Sequence, residues 1–310
     1  MGLLSQDADV QVFKQGEMID TYRVMAELGR GAASIIYLVN DTKTKRIHAL
    51  KHVVKQTEKD ERFLEQTEAE YEIGSKLDHP VIRKMDRLIK KRTGLLAVTE
   101  MFLLMELVDG ESLDRKPPRT FDVAADIFEQ VAKGLAHMHG KGFVHADMKP
   151  NNVVVSSGGV VKVIDLGQSC AANTVKKRIQ GTPDYIAPEQ VHRRPITHKT
   201  DIYNLGATMY WSLTKHFVPT ALAKGDSLVG SLDDTMIKPP KRPCEINPRV
   251  PELFDKLIME CVQIEPANRP ESMTEVAERL NLIRGKLLAE AELRKSGSFR
   301  NVGSSDAGGK

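Results

Sequence analysis

At 310 residues the chain is long for one ordinary domain and suits two lobes around a shared cleft. With 41% hydrophobic and 28% charged residues it can bury a sizeable core beneath a well-solvated surface, and a net charge of +3 is too small to argue for a nucleic-acid or membrane-surface partner. Cys170, Cys244 and Cys261 are widely spaced without a CxxC pair, which suggests neither a zinc site nor a disulfide framework and makes a reduced, cytoplasmic compartment the simplest reading. No apolar run approaches the ~18 residues of a membrane span, so stable membrane insertion is not expected. The first residues lack the basic region of a signal peptide, and Gln6 stands where a myristoylation motif needs Ser or Thr.

Residues 1–20 are mixed and polar and read as an irregular extension. Strand character follows over 21–107, where β-branched runs at Tyr22-Arg23-Val24-Met25 and Ile35-Ile36-Tyr37-Leu38-Val39 flank a glycine-containing turn. His48-Ala49-Leu50-Lys51-His52-Val53-Val54 reads as a third strand. Residues 61–77 are amphipathic, with Phe63, Leu64, Ile73 and Leu77 on one helical face. The segment 81–106 returns to strand and contains the basic run Arg83, Lys84, Arg87, Lys90, Lys91 and Arg92, which reads as a solvated edge. Helices dominate 108–292. Phe121, Ala124, Ile127, Phe128, Val131, Leu135 and Met138 recur at three- and four-residue intervals, and Gly140 and Gly142 stop that helix. Further helices are expected over 201–214, 251–262 and 271–292, with a long loop at 215–250. The Ser/Gly-rich segment 293–310 reads as a disordered tail. A β-rich first third and an α-rich remainder make the chain α+β and bilobal, with a hinge near Glu106.

Four segments carry chemistry. Leu28-Gly29-Arg30-Gly31-Ala32-Ala33-Ser34-Ile35-Ile36 joins the first two strands, and its glycines let backbone N–H groups approach phosphates. Lys51 can face phosphates only if an acid fixes its ammonium, and Glu65, Glu68, Glu70 and Glu72 compete for that place on spacing alone. In His145-Ala146-Asp147-Met148-Lys149-Pro150-Asn151-Asn152, Asp147 can accept the proton of an incoming hydroxyl, Lys149 can offset phosphoryl charge, and Asn152 can ligate Mg²⁺. Asp165, at the end of Val163-Ile164-Asp165-Leu166-Gly167, is a second hard-oxygen metal ligand. A glycosidase pair of Asp147 and Asp165 would leave Lys149 and Asn152 without a role.

In this order the motifs resemble those of the eukaryotic-type protein kinase family over residues 22–285. Gly181-Thr182-Pro183-Asp184-Tyr185-Ile186-Ala187-Pro188-Glu189 matches the end of that family's activation segment, Asp201 with Gly206 looks like its buried Asp-x-x-x-x-Gly, and Arg269 looks like the arginine that pairs with Glu189. The resemblance implies a bilobal kinase fold and a Ser/Thr kinase that uses ATP with Mg²⁺ (or Mn²⁺) on protein substrates. It also selects Glu70 as the partner of Lys51. Met105 falls at the gatekeeper position, Glu106 and Val108 become the hinge residues that bond adenine, and Leu28, Ile36, Ala49 and Val154 sandwich the ring. Ser112 is placed for the ribose. Lys149 and Thr182 favour Ser/Thr over Tyr as acceptor, and Ser169 and Thr174 become candidate autophosphorylation positions. Substrate identity, upstream signal and oligomeric state stay open.

Ala146 stands where most regulated relatives carry the arginine that meets a loop phosphate, so activity without loop phosphorylation is expected. Gly74 replaces a bulky apolar residue four positions after Glu70. Unless a neighbour such as Met85 fills the gap, helix 61–77 is loosely held and becomes the point of control. Two rival readings are a pseudokinase scaffold, against which every residue of phosphoryl transfer is present, and a small-molecule phosphotransferase, against which Ala187-Pro188-Glu189 and Gly167 stand.

Overall fold

The computed structural model describes residues 12–31, 33–93, 97–220, 222 and 237–302, so Ala32 of the glycine-rich loop lies outside the described residues. The chain divides into two compact units. One is Met1–Gly110 with Lys162–Cys170, and the other is Glu111–Val161 with Ala171–Lys310.

The first unit is a six-stranded antiparallel sheet of β1 (Met18–Ile19), β2 (Tyr22–Arg30), β3 (Ser34–Asp41), β4 (Ile47–Val54), β5 (Met85–Thr93) and β6 (Ala97–Glu106), in the order β1-β2-β3-β4-β6-β5. Two-residue periodicity decides which face is buried. In β3, Ile35, Tyr37 and Val39 point into a core with Ile19, Tyr22, Val24, Leu50 and Phe102, while Ile36 and Leu38 stand on the opposite face, half-buried. On that opposite face α1 (Glu61–Gly74) packs Leu64 against Val53 and Met101.

The expected irregular extension is not irregular at its inner end. Met18–Ile19 pairs with β2, and Phe13 is buried in the core with its ring against Tyr37, His52 and Phe102. A two-residue strand is too short to register as periodicity. Helix α1 ends at Gly74 rather than 77, where the chain turns towards His79-Pro80.

The stretch bearing Asp165 belongs to this strand-rich unit although it lies far along the chain. Val163 N donates to Val81 O at 2.7 Å and accepts in return, through its carbonyl, from Arg83 N at 2.9 Å. A division at a single linear boundary near 107 has no place for such a returning segment.

The second unit is helical: α2 (Phe121–Gly140), α3 (Pro188–Val191), α4 (His198–Thr214), α5 (Pro243–Ile246), α6 (Glu252–Cys261) and α7 (Met273–Val302). It also holds β7 (Glu111–Ser112), β8 (Phe143–Val144) and β9 (Val153–Val155), with Ser112 registered against Val154. α2 buries the face its spacing predicts: Ala124, Ile127, Phe128, Val131, Leu135 and Met138. α4 is buried nearly all round, polar Thr200, Asp201, Asn204 and Thr208 included, so it shows little amphipathic pattern. Gly206 permits the close approach of α4 to the end of α6, because a Cβ there would lie 2.5 Å from Cys261 Cβ.

α5 interrupts the loop expected over 215–250. α7 runs to Val302, through residues expected to begin a disordered tail. The run Leu287-Leu288-Ala289-Glu290-Ala291-Glu292-Leu293-Arg294-Lys295 consists of strong helix formers, which carry the helix into the serine-containing segment.

Candidate active site

In the strand-rich unit, β2 and β3 hold the glycine-rich turn. Gly29 registers with Ile36, Arg30 with Ile35, and Gly31 N donates to Ser34 O at 2.8 Å. A Cβ on Gly29 would meet no described atom within 4 Å, so the packing of the protein does not itself demand glycine there. Arg30 is turned to an exposed pair with Glu27 at 2.6 Å, and Leu28 is 50% exposed. Ala49 and Met105 are fully buried partners across β4 and β6. Val108 follows half-buried after Glu106.

Lys51 Nζ donates to Glu70 Oε2 at 2.7 Å, which resolves the competition among the four glutamates. Burial works to lower the Lys51 pKa, but the carboxylates of Glu70 and Asp165 outweigh it and hold the ammonium above its ordinary value. Asp165 Oδ1 accepts from Gly167 N at 2.9 Å.

Gly74 leaves no gap. A Cβ built there would lie 2.4 Å from Met85 Cγ and 3.3 Å from Leu166 Cδ1, so Met85 already fills the contact and Leu166 is fully buried against it. The expectation of a loosely held α1 is therefore corrected. A flexible thioether side chain reaches from β5 into the place a bulkier residue on the helix would take.

The basic run is corrected at one position as well. Arg83 is only 8% exposed, and its Nε donates to Glu106 O at 2.9 Å. Nothing in a string of basic residues marks which one turns inward. Glu106 is further engaged: its carboxylate pairs with Lys162 at 2.7 Å and accepts from Lys84 N at 3.1 Å.

In the helical unit, buried Asp201 accepts from His145 N at 2.9 Å, Ala146 N at 2.8 Å and His139 Nε2 at 2.8 Å, anchoring the loop before Asp147. Ala146 sits at φ +61°, the left-handed region, and those bonds hold it there. Burial raises the Asp201 pKa, and the His139 hydrogen bond and charge reverse this, leaving the carboxyl below its usual value.

Both oxygens of Asp147 are occupied. Oδ2 meets Lys149 Nζ at 2.7 Å, and Oδ1 accepts from Thr182 N at 2.9 Å and Thr182 Oγ1 at 2.8 Å. Lys149 Nζ also donates to Thr182 Oγ1 at 2.8 Å. Asn152 Nδ2 donates to Asp147 O at 2.8 Å, so the acceptor of this amide is its Oδ1. Among the described residues, no group of three or more His, Cys, Asp and Glu side chains is arranged to hold a metal ion.

Glu189 and Arg269 form a buried two-pronged pair at 2.7 and 2.9 Å, and Thr200 Oγ1 adds a third bond to the carboxylate at 2.8 Å. Gln190, which no sequence signal marks, saturates its amide. Nε2 donates to Ala146 O at 2.8 Å and Gln180 O at 3.3 Å, while Oε1 accepts from Ala187 N at 3.0 Å and Asn204 Nδ2 at 3.0 Å. Ser169 is buried, and Thr174 bridges Ile196 through backbone bonds.

The sequence profile of the protein kinase domain matches residues 22–280. The chain is 31% identical to the serine/threonine-protein kinase PknA of Corynebacterium glutamicum over 75% of its own length and 50% of the relative's. It is 29% identical to the probable serine/threonine-protein kinase PknB of Lactococcus lactis over 86% of its length and 43% of that relative's. The chain thus spans half or less of these curated relatives. Among solved structures, the PknI kinase domain of Mycobacterium tuberculosis superposes with a TM-score of 0.66 at 22% identity, covering 87% of this chain and 99% of that one, and so supports the bilobal kinase fold. No helix among the described residues is long and apolar enough to cross a membrane.

Proposed function

The chain belongs to the protein kinase domain family, and on that premise we propose that it transfers the γ-phosphate of ATP to Ser or Thr hydroxyls of protein substrates. The observation that carries this reading is the arrangement at Asp147. Its carboxylate already receives a hydroxyl, that of Thr182, with the Lys149 ammonium touching both groups. A substrate hydroxyl presented there would be oriented by Asp147 and would yield its proton to it, and Lys149 would offset charge on the phosphoryl oxygens.

Lys51, fixed by Glu70, would hold the α- and β-phosphates, with backbone N–H groups of the glycine-rich turn beside them. In this reading the strand-rich unit would offer adenine the apolar surface of Leu28, Ile36 and Ala49 and the backbone hydrogen bonds of Glu106 and Val108, and the helical unit would offer the apolar surface of Val154 and, for the ribose, the Ser112 hydroxyl. Asn152 and Asp165 are hard-oxygen ligands suited to Mg²⁺, with Mn²⁺ as an alternative. When bound, the ion would neutralise developing phosphate charge. A cytoplasmic setting is part of the same reading and rests on the wide spacing of Cys170, Cys244 and Cys261 in the sequence.

The same reading includes activity without loop phosphorylation. Ala146 offers no cation to a phosphate, yet Gln190 already links Ala146 O to Gln180 O of the activation segment. The function is tested by incubating the protein with labelled ATP and Mg²⁺ and identifying the phosphorylated amino acid. Phosphoserine or phosphothreonine is expected, lost in Asp147→Asn while ATP binding persists. Predominant phosphotyrosine, or transfer by Asp147→Asn at the wild-type rate, would refute it.

A further inference from the structure

Arg83 brings a permanent charge into the interior of the strand-rich unit. Besides the bond from Nε to Glu106 O at 2.9 Å, its Nη1 lies 3.4 Å from Ile164 O, and its backbone N donates to Val163 O at 2.9 Å. One residue therefore ties the last residue of β6 to the two residues that immediately precede Asp165. Burial lowers the pKa of the guanidinium, and the fields of Glu70, Glu106 and Asp165 oppose that effect. Lys51 feels Arg83 as a like charge.

Stability alone does not account for a cation here. Among the described residues no hydrogen bond or ion pair joins the guanidinium to a carboxylate, and a buried charge is often replaced by an apolar residue of similar size at little or no cost. The planar fork does something an apolar side chain cannot: it fixes the spacing of two backbone carbonyls on different parts of the chain.

We propose that Arg83 is a positioning residue, which sets where Asp165 stands relative to the Lys51–Glu70 pair, while its bond to the Glu106 carbonyl anchors the guanidinium. The proposal rests on the kinase reading of Asp165 given above. If it holds, the charge balance around the site comes from Lys51 and Arg83 against Glu70 and Asp165, and nucleotide affinity depends on geometry that Arg83 maintains.

The test is calorimetric binding of ADP, with and without Mg²⁺, to the full chain as wild type, Arg83→Met and Arg83→Lys. Arg83→Met is expected to weaken Mg²⁺-dependent binding about tenfold (~1.4 kcal/mol) and to change metal-free binding far less. Arg83→Lys, which keeps the charge but loses the fork, should fall between. Tighter Mg²⁺-dependent binding in Arg83→Met would overturn the proposal, because removing a cation beside Asp165 does that if the role is electrostatic only. Equal losses with and without metal would overturn it as well, since they mark a general loss of packing. Should Arg83→Met not fold, Arg83→Lys decides: a loss confined to the metal-dependent part is the expected result, and unchanged binding overturns the proposal. Wild-type binding of Mg²⁺ and ADP with no change in Arg83→Met would sink this proposal alone, whereas wild-type protein that binds no ADP would sink the kinase reading with it.

Discussion

The two units each bury a carboxylate against a cation at the same 2.7 Å separation, yet the pairs are built for different work. Arg269 spends its fork on both oxygens of Glu189 and its remaining donors on the carbonyls of Gln263, Lys199 and Ile264, and Thr200 completes the carboxylate. Every partner is protein, and the Arg269 side chain is wholly buried. Among the described residues Lys51 makes one side-chain bond, to Glu70, retains 18% side-chain exposure and feels the charge of Asp165 as well. An ammonium has three donors, so this pair leaves capacity for a ligand where the other is saturated. A saturated pair holds the fold together. An unsaturated one can be redirected to phosphate.

Arg269→Met should break the first pair most severely. It leaves Glu189 buried and unpaired, a change that costs on the order of 3–5 kcal/mol, read as a lower denaturation midpoint. A midpoint near that of wild type would remove the distinction. Lys51→Met should do the reverse. Transfer should fall by at least about a hundredfold (~2.7 kcal/mol in the barrier), with much less effect on stability than Arg269→Met, checked by kinetics and denaturation on one preparation. A stability loss matching that of Arg269→Met would make the Lys51 pair structural too.

Gly74→Leu sharpens the contrast from the helix that carries Glu70. Because Met85 already occupies the contact, the added side chain overpacks α1 and should cost about 1–3 kcal/mol, with reduced rather than raised basal activity. A higher melting temperature would show that Met85 yields easily. The smallest effect is expected from Ser169→Ala with Thr174→Ala. Activity should stay within about tenfold of wild type (~1.4 kcal/mol), because the Gln190 bridge does not need a phosphate. A greater loss in a peptide-phosphorylation assay would reinstate phosphorylation as the control.

The sequence by itself determined the family and marked the candidate reacting groups. Phosphoryl transfer needs particular atoms at set separations along the chain, and the runs around Gly29, Lys51, Asp147 and Asp165 carry them whatever surrounds them. Helix α2 was equally legible, because one of its faces is buried and the other is not. Tertiary structure decided the rest. Among four nearby glutamates only packing against β4 selected Glu70 without help from a relative's pattern. Arg83 looks like its basic neighbours until residues 163–164, some eighty positions later, return to lie beside it. Gly74 reads as a vacancy until Met85 arrives from the next strand, and Gln190 reads as an ordinary polar residue until Ala146, Gln180 and Asn204 converge on its amide. Local residues set propensity and chemistry, whereas burial and partnership depend on which distant segment comes to cover them.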